Sequence, residues 1–380
     1  MFANAPKPGR DGKTSPISPV SEVIDEIRRG RMVVLMDDED RENEGDIVVA
    51  AEKVTVEQVN FMIRHARGLI CVPIMESRMQ ELGLRMMVPE NTAPLGTGFT
   101  VSIDARDCTS GGVTAADRCR TIRRMADDDA DATDFVIPGH IFPLRARDGG
   151  VLVRTGQTEG SIDLCRLAGL KPAGVICEIL NEDGTMARLP DLVRFAREHD
   201  LKISTVADLI QYRLQNESLV EKVATARLPT KYGGEFTAHI YRSSVEEGEH
   251  IVLVKGRIDP EKPVLVRAHA EYLPGDVFAY AHRNTGEILH RAMEKIAAEG
   301  EGVLLYVRRH RRGAEMMAEG GEGPVTTNPA VRLASFKDYG IGAQILRDLG
   351  VRKIRLLTNS PFRLPNLAGY GLEVVEVVSV

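Results

Sequence analysis

Apolar residues fall at helical spacing in Val20, Val23, Ile24 and Ile27. Ser18-Pro19 ahead of them reads as an N-cap followed by proline at the first helical position, and Gly30 ends the run. Met32 to Leu35 then reads as a short apolar strand, and Ile47 to Ala51 as a second apolar run. Thr55 to Gly68 has the spacing of an amphipathic helix, and Leu69 to Ile74 follows as a strand. Phe99 to Ile103 alternates as a strand should, and Ala115 to Met125 returns to helical spacing with four arginines. Phe135 to Leu144 places His140 directly behind a Pro-Gly turn. Gly149 to Arg154 reads as a glycine pair and a strand, with a helix from about Ser161 to Leu167. Ala173 to Leu180 has the profile of a buried strand broken by Glu178, and Leu201 to Leu214 supplies a further strand and helix.

A chain of 380 residues is long enough for two domains, each with its own core. Polarity and glycine frequency change beyond Leu228-Pro229-Thr230. The expected layout is a disordered tail at 1–15, a first domain at 16–214, a linker at 215–232 and a second domain at 233–380. A net charge of -6 argues against nucleic acid as the main partner. No apolar run is long enough to span a bilayer, and the polar first fifteen residues lack the apolar core of a signal peptide. The five cysteines are odd in number and all precede residue 180, which fits reduced thiols in a cytoplasmic protein.

Candidate chemistry begins between the first two apolar runs. The segment Asp37-Asp38-Glu39-Asp40-Arg41-Glu42-Asn43-Glu44-Gly45-Asp46 crowds carboxylates around one arginine. A solvated acidic loop is the plain reading. Arg41 inside the acids, and Gly45 closing against another apolar run, favour a cation site for a hard ion such as Mg²⁺. Arg41, Glu42 and Asp46 are expected on one short connection between two strands. Arg154-Thr155-Gly156-Gln157-Thr158, a turn rich in Gly and Thr entering a helix, reads as a phosphate cradle. Glu178, alone in an apolar run, is either ion-paired in the core or part of a site.

Taken in order, these stretches resemble 3,4-dihydroxy-2-butanone 4-phosphate synthase of riboflavin biosynthesis. The match rests on the acidic segment together with Gly96-Thr97-Gly98-Phe99-Thr100, Ala115-Ala116-Asp117-Arg118, Pro138 to Leu144 and Asp183-Gly184-Thr185-Met186-Ala187-Arg188, and covers about residues 20–214. The resemblance implies a fold of the α+β or α/β class, with a three-layer mixed-sheet α/β sandwich for this domain. It also implies a cytoplasmic homodimer that binds no nucleic acid or membrane and takes D-ribulose 5-phosphate, a small sugar phosphate, to the four-carbon phosphate and formate with Mg²⁺ (or Mn²⁺). Carried over by position, Glu42 is the metal-binding carboxylate and a catalytic residue beside His140 and Glu178. Arg41, Glu42, Asp46, Arg154, Thr155, Gly156, Gln157, Thr158 and Glu178 are the substrate contacts. One departure stands out: Gln157 occupies the position of the family's second metal ligand, a histidine. An amide oxygen is an acceptable hard-ion donor, but it cannot act as a base.

The rest of the chain resembles GTP cyclohydrolase II, through Val266 to Phe278, Asp338 to Leu346, Leu356 to Pro361 and Gly369 to Glu376. It implies a second α/β domain. That family's zinc site needs three cysteines, and Tyr272, Arg283 and Thr285 stand in their places, so no Zn²⁺ is expected. Ser335 and Lys337 replace the family's catalytic acid and arginine, and His310-Arg311-Arg312 replaces its Glu-Gly-Arg segment; residues 314–334 are also shorter and richer in Pro and Gly. His269 and His282 read as structural histidines. The leading expectation is therefore an active lyase with an inactive second domain serving dimer contact, stabilisation or a partner surface. The alternatives are a bifunctional enzyme and a non-catalytic regulator.

Overall fold

Alternation along the first strands fixes which face meets which layer. The protein is described by a computed structural model covering residues 16–39, 41–245, 248–308, 340–359 and 367–380. The expected tail at 1–15, Asp40, His310-Arg311-Arg312, the 314–334 stretch, Ser335, Lys337 and Asp338 lie outside these residues. The chain divides into two units, Met1–Tyr212 and Arg213–Val380.

In the first unit, β1 (Val33–Met36) and β2 (Gly45–Ala50) are buried at every position, hence the apolar runs Val33–Met36 and Ile47–Ala50. They join β3 (Cys71–Ile74), β4 (Ile103–Ala105), β5 (Phe135–Arg145), β6 (Gly174–Glu178) and β7 (Lys202–Thr205) in one sheet, ordered β4-β5-β3-β6-β2-β1-β7. β1 runs antiparallel to β2 and parallel to β7, while β2 and β3 both run antiparallel to β6. Val34, Met36, Ile47, Val49, Val72 and Val175 pack into one core with Val59, Ile122 and Leu192. Those three belong to α2 (Val56–Phe61), α4 (Ala115–Ala126) and α6 (Leu189–Glu198). The residue between Val34 and Met36 faces the other way: a Cβ added at Gly160 would lie 2.4 Å from Leu35 Cδ2. Gly160 belongs to α5 (Gln157–Leu167), which packs with α1 (Val20–Arg28). The result is the expected three-layer mixed-sheet sandwich, completed by α3 (Glu76–Glu81) and α7 (Val206–Asn216), within which the unit boundary falls.

Several local expectations are corrected. Pro19 rather than Ser18 is the N-cap of α1, with Ser18 N–H donating instead to Ile203 O of β7. The expected Thr55–Gly68 helix leaves α geometry after Phe61 for a π-turn and ends at Arg67, φ 69°. Residues 99–102 make only isolated bridges, with Phe99 facing Leu144 and Met86 facing Thr100. Residues 149–154 are not a strand: Gly149 (φ 87°) and Gly150 (φ 64°) are left-handed and lead into a 3₁₀ turn, so α5 begins at Gln157, four residues earlier than expected.

The second unit holds another seven-stranded mixed sheet. Its strands are β8 (Val220–Thr230), β9 (Gly234–Ser243), β10 (Glu249–Lys255), β11 (Pro263–Ala270), β12 (Gly302–Val307), β13 (Lys353–Leu357) and β14 (Glu373–Val378), ordered β14-β13-β11-β12-β10-β9-β8. α8 (Leu273–Asp276) and α9 (Thr285–Glu299) follow β11. Ala292, Met293 and Ile296 of α9 pack on Phe236, Leu265 and Leu304. β8 fills much of the span expected as a linker. It is exposed along nearly its whole length, so its sequence carries no buried stripe to mark it.

Candidate active site

The acidic loop is built around Asp37, which follows β1 and whose side chain is fully buried. Oδ2 accepts from Arg41 Nη1 at 2.6 Å and from Glu42 N–H at 3.2 Å, and Oδ1 accepts from Glu44 N–H at 2.8 Å. Asp37 therefore ties the loop into a knot that presents Arg41 and Glu42 together. Arg41 Nη1 also donates to Glu42 Oε2 at 2.5 Å and to Gln157 Oε1 at 3.1 Å. Oxygens of Asp37, Glu42 and the distant Gln157 thus converge on one guanidinium nitrogen, while Gln157 Nε2 donates to Glu44 O at 3.3 Å. Among the described residues, no three His, Cys, Asp or Glu side chains are arranged to hold a metal ion by themselves.

Asp46 lies inside β2 rather than in the connection, opposite Glu178 of β6 in the sheet register. Burial, and then the charge of Glu178, hold the Asp46 carboxyl well above the usual carboxylate range. Burial raises Glu178 as well, against the hydrogen bond its Oε2 accepts from Leu69 N–H at 2.8 Å. Glu44 is also raised, by burial and the adjacent Glu42. These acids crowd one end of the sheet with too little positive charge, the condition that draws a cation or holds a proton.

Gly156 caps the N-terminus of α5. An added Cβ would lie 2.8 Å from Arg154 Nη1 and 3.0 Å from Arg41 Nη2, so both guanidinium groups flank this helix start. Arg154 is fixed by Glu159, which is 1% exposed at its side chain and accepts from Nη1 at 2.7 Å, and by Thr97 Oγ1, which accepts from Nη2 at 3.1 Å. Two cations, a helix N-terminus and a glycine that leaves room form an anion cradle. Thr158 is buried within the first turn of α5, and Thr155 is half-buried ahead of it.

His140 sits elsewhere in the same row of the sheet. Phe142 pairs with Cys71 and Cys71 with Ile176, which puts His140 at the same sheet end as Glu178, two strand spacings (roughly 10 Å) away. Its Nδ1 lies 2.7 Å from Asp104 Oδ2, and its N–H donates to Asp104 Oδ1 at 2.9 Å. Arg41, Glu42, Asp46, Arg154, Gly156, Gln157 and Glu178 are thus brought together, with His140 apart and half-exposed. Sequence reasoning gave no role to Asp37, Glu159, Asp104 or Arg188. For Asp37 and Glu159 the available signal was an acid closing an apolar strand or sitting in the first turn of a buried helix. A cavity of about 570 Å³ opens beside His65, Asn181, Asp191, Phe195 and His199, and its lining contains none of the converging residues.

Residues 21–212 match the family described as 3,4-dihydroxy-2-butanone 4-phosphate synthase, and residues 221–379 the one described as GTP cyclohydrolase II. The riboflavin biosynthesis protein RibBA of Aquifex aeolicus is 52% identical, over 95% of this chain and 92% of that protein. The chain belongs to the 3,4-dihydroxy-2-butanone 4-phosphate synthase family, fused to a GTP cyclohydrolase II domain. The bifunctional riboflavin biosynthesis protein RIBA 1, chloroplastic, of Arabidopsis thaliana is 47% identical, over 96% of this chain and 69% of its own length. RibBX, a two-domain synthase from A. baumannii, has a crystal structure that superposes with a TM-score of 0.77 at 42% identity, covering 95% of this chain and 99% of that one. A synthase structure in complex with two magnesium ions aligns at a TM-score of 0.51 and 42% identity, over 53% of this chain and 98% of that one.

In the GTP cyclohydrolase II domain, the three positions of the expected thiolates do come together. The Arg283 guanidinium lies 4.4 Å over the Tyr272 ring. Asp276 joins the others. Oδ1 lies 2.8 Å from His269 Nε2 and accepts from Thr285 Oγ1 at 2.5 Å; Oδ2 accepts from Tyr306 OH at 2.8 Å and Tyr272 N–H at 2.9 Å. Burial would raise Asp276, but the bonds from His269, Thr285 and Tyr272 override it and hold the carboxyl at about 2. A ring, a guanidinium and a hydroxyl with its partner already chosen do not fit Zn²⁺.

Proposed function

We propose that the first domain converts D-ribulose 5-phosphate to 3,4-dihydroxy-2-butanone 4-phosphate and formate in a Mg²⁺-dependent reaction. The observation that carries this reading is the convergence of Glu42 and Gln157 oxygens on Arg41 Nη1, within the Arg41–Arg154–Gly156 cradle. The substrate phosphate would sit at that cradle, on the N-terminus of α5, with Arg154 held in place by Glu159. Glu42 and Gln157 would hold Mg²⁺, or Mn²⁺, which supplies positive charge for the anion formed when a proton is removed beside a ketone. Those two protein donors alone would leave room in its shell for water and substrate oxygens. Asp46 and Glu178 favour protonation more than ordinary carboxyls do, which suits them to take up and return protons during the dehydration steps. His140, steered by Asp104, is the third group of this reaction. The magnesium-bearing synthase structure supports the choice of ion. Purified protein given ribulose 5-phosphate and Mg²⁺ should release formate; none released would overturn the reading.

We further propose that the second domain does not open GTP, since Tyr272, Arg283 and Thr285 occupy the zinc positions with chemistry Zn²⁺ does not take. A bifunctional enzyme is the second reading, favoured by the name of the Arabidopsis relative. RibBX, described only as a two-domain synthase, supports the first. Metal analysis with a GTP turnover assay separates them: zinc at one per chain with turnover would reverse our assignment. The working form is proposed to be a homodimer, consistent with Val136 and Ile137 standing exposed beside His140, and sedimentation would test it.

A further inference from the structure

The Asp183–Arg188 stretch is a matched motif to which the synthase reading gives no task. Arg188 ends it, immediately before α6, and its Nη1 donates to two backbone carbonyls of the acidic loop, Glu42 O at 2.6 Å and Asn43 O at 2.5 Å. The grip falls at the loop's left-handed residue. Asn43 has φ 56°, a conformation that asparagine adopts more readily than most other non-glycine residues. α6 also supports the loop's exit, because a Cβ added at Gly45 would lie 2.6 Å from Leu192 Cδ1. Arg188 is itself anchored: its N–H donates to Asp191 Oδ2 at 3.2 Å, and Asp191 Oδ1 accepts from Arg194 at 2.8 Å. The start of α6 is therefore a platform that holds the Glu42–Asn43 peptide from behind, while the Glu42 carboxylate and the Gln157 amide oxygen both meet Arg41 Nη1.

We propose that Arg188 is a positioning residue for the synthase reaction. It fixes the Glu42–Asn43 peptide so that the Glu42 carboxylate and the Gln157 amide converge to hold the divalent cation, and it touches neither substrate nor ion. The inference rests on reading Glu42 as the metal carboxylate. The groups behind a ligand set its orientation, and their loss typically weakens metal affinity roughly 10- to 100-fold. The guanidinium reaches both carbonyls from a rigid plane, a geometry that an ammonium group on a flexible stem reproduces only in part.

The test uses the full chain with Arg188→Ala, Arg188→Lys and Glu42→Gln. Mn²⁺ binding to substrate-free protein is followed by electron paramagnetic resonance, alongside the Mg²⁺ dependence of formate release. Arg188→Ala should weaken Mn²⁺ binding and raise half-saturating Mg²⁺ by about tenfold or more. Its KM for ribulose 5-phosphate should stay near wild type, with much of kcat recovered at saturating Mg²⁺. Arg188→Lys should fall between it and wild type, and amide hydrogen exchange at residues 41–44 should quicken in the same order. Unchanged Mn²⁺ affinity in Arg188→Ala, with affinity lost in Glu42→Gln, overturns the positioning role and leaves the site reading standing. Unchanged affinity in Glu42→Gln overturns the site reading itself. Should Arg188→Ala fail to fold, Arg188→Lys makes the same comparison, and wild-type affinity there overturns the proposal.

Discussion

Replacing Asp276 by asparagine tests whether the second domain has exchanged a metal for a hydrogen-bond hub. The carboxylate serves four partners, two on each oxygen: His269 and Thr285 on Oδ1, Tyr306 and the Tyr272 N–H on Oδ2. Asparagine keeps the shape but offers one oxygen, so two partners face an NH₂ group. A buried donor left without an acceptor costs about 1–3 kcal/mol. The Thr285 and Tyr306 hydroxyls can turn to accept instead, which brings the total to roughly 2–3 kcal/mol. For a domain of this size each kcal/mol moves the midpoint about 2–4 °C, so a drop of roughly 5–10 °C is expected by scanning calorimetry at pH 7. The pH dependence has a definite sign. Asp276 is depressed from 3.8 to about 2, so its stabilisation is present above the ordinary value and is lost as pH falls from about 4 towards 2. That window is worth roughly 2 kcal/mol and should be missing from the variant. A chelator should leave the wild-type midpoint where it is. A variant melting within about 1 °C of wild type, or a wild-type domain that loses stability in chelator, would refute the reasoning.

Gln157→His should leave formate release standing at saturating Mg²⁺, because an imidazole at this position is another acceptable donor; a dead variant would show that the amide does more than ligate. Asp46→Asn should abolish turnover yet stabilise the metal-free chain. With its pKa raised by burial and Glu178, Asp46 stabilises below the ordinary carboxylate range and loses that contribution as pH rises through its folded value. The gain in melting temperature should therefore be clear at pH 8 and vanish near pH 4, and a lower midpoint than wild type at pH 8 would contradict this. Arg154→Lys keeps a charge facing Glu159 but loses the planar fork, so KM for ribulose 5-phosphate should rise about tenfold with little change in kcat. An unchanged KM would remove Arg154 from the phosphate site.

Much of this arrangement could be read from residue order alone. The apolar runs of β1 and β2 announce two strands, and the acids between them announce a site. What sequence could not supply was direction. Asp37 looks like any other acid of its run, yet it organises the loop from a buried position, because it is the first residue past β1. Glu159 and Arg188 act through partners 5 and about 145 positions away, separations that only the packing of α5 and α6 against the loop resolves. The 3₁₀ turn at 150–152 reads as a strand in sequence, because Val151 and Leu152 are apolar for packing while two left-handed glycines set the backbone. β8 failed in the opposite sense: a strand exposed on both faces has no period-two stripe to find.

The most direct test of the central claim is formate release from ribulose 5-phosphate by metal-stripped protein, before and after Mg²⁺ is added, beside the Glu42→Gln variant. Formate that appears only with Mg²⁺ in the wild-type chain, and not at all in the variant, is the expected result. Equal release without the ion, or a Glu42→Gln variant as active as wild type, would contradict the site described for this chain.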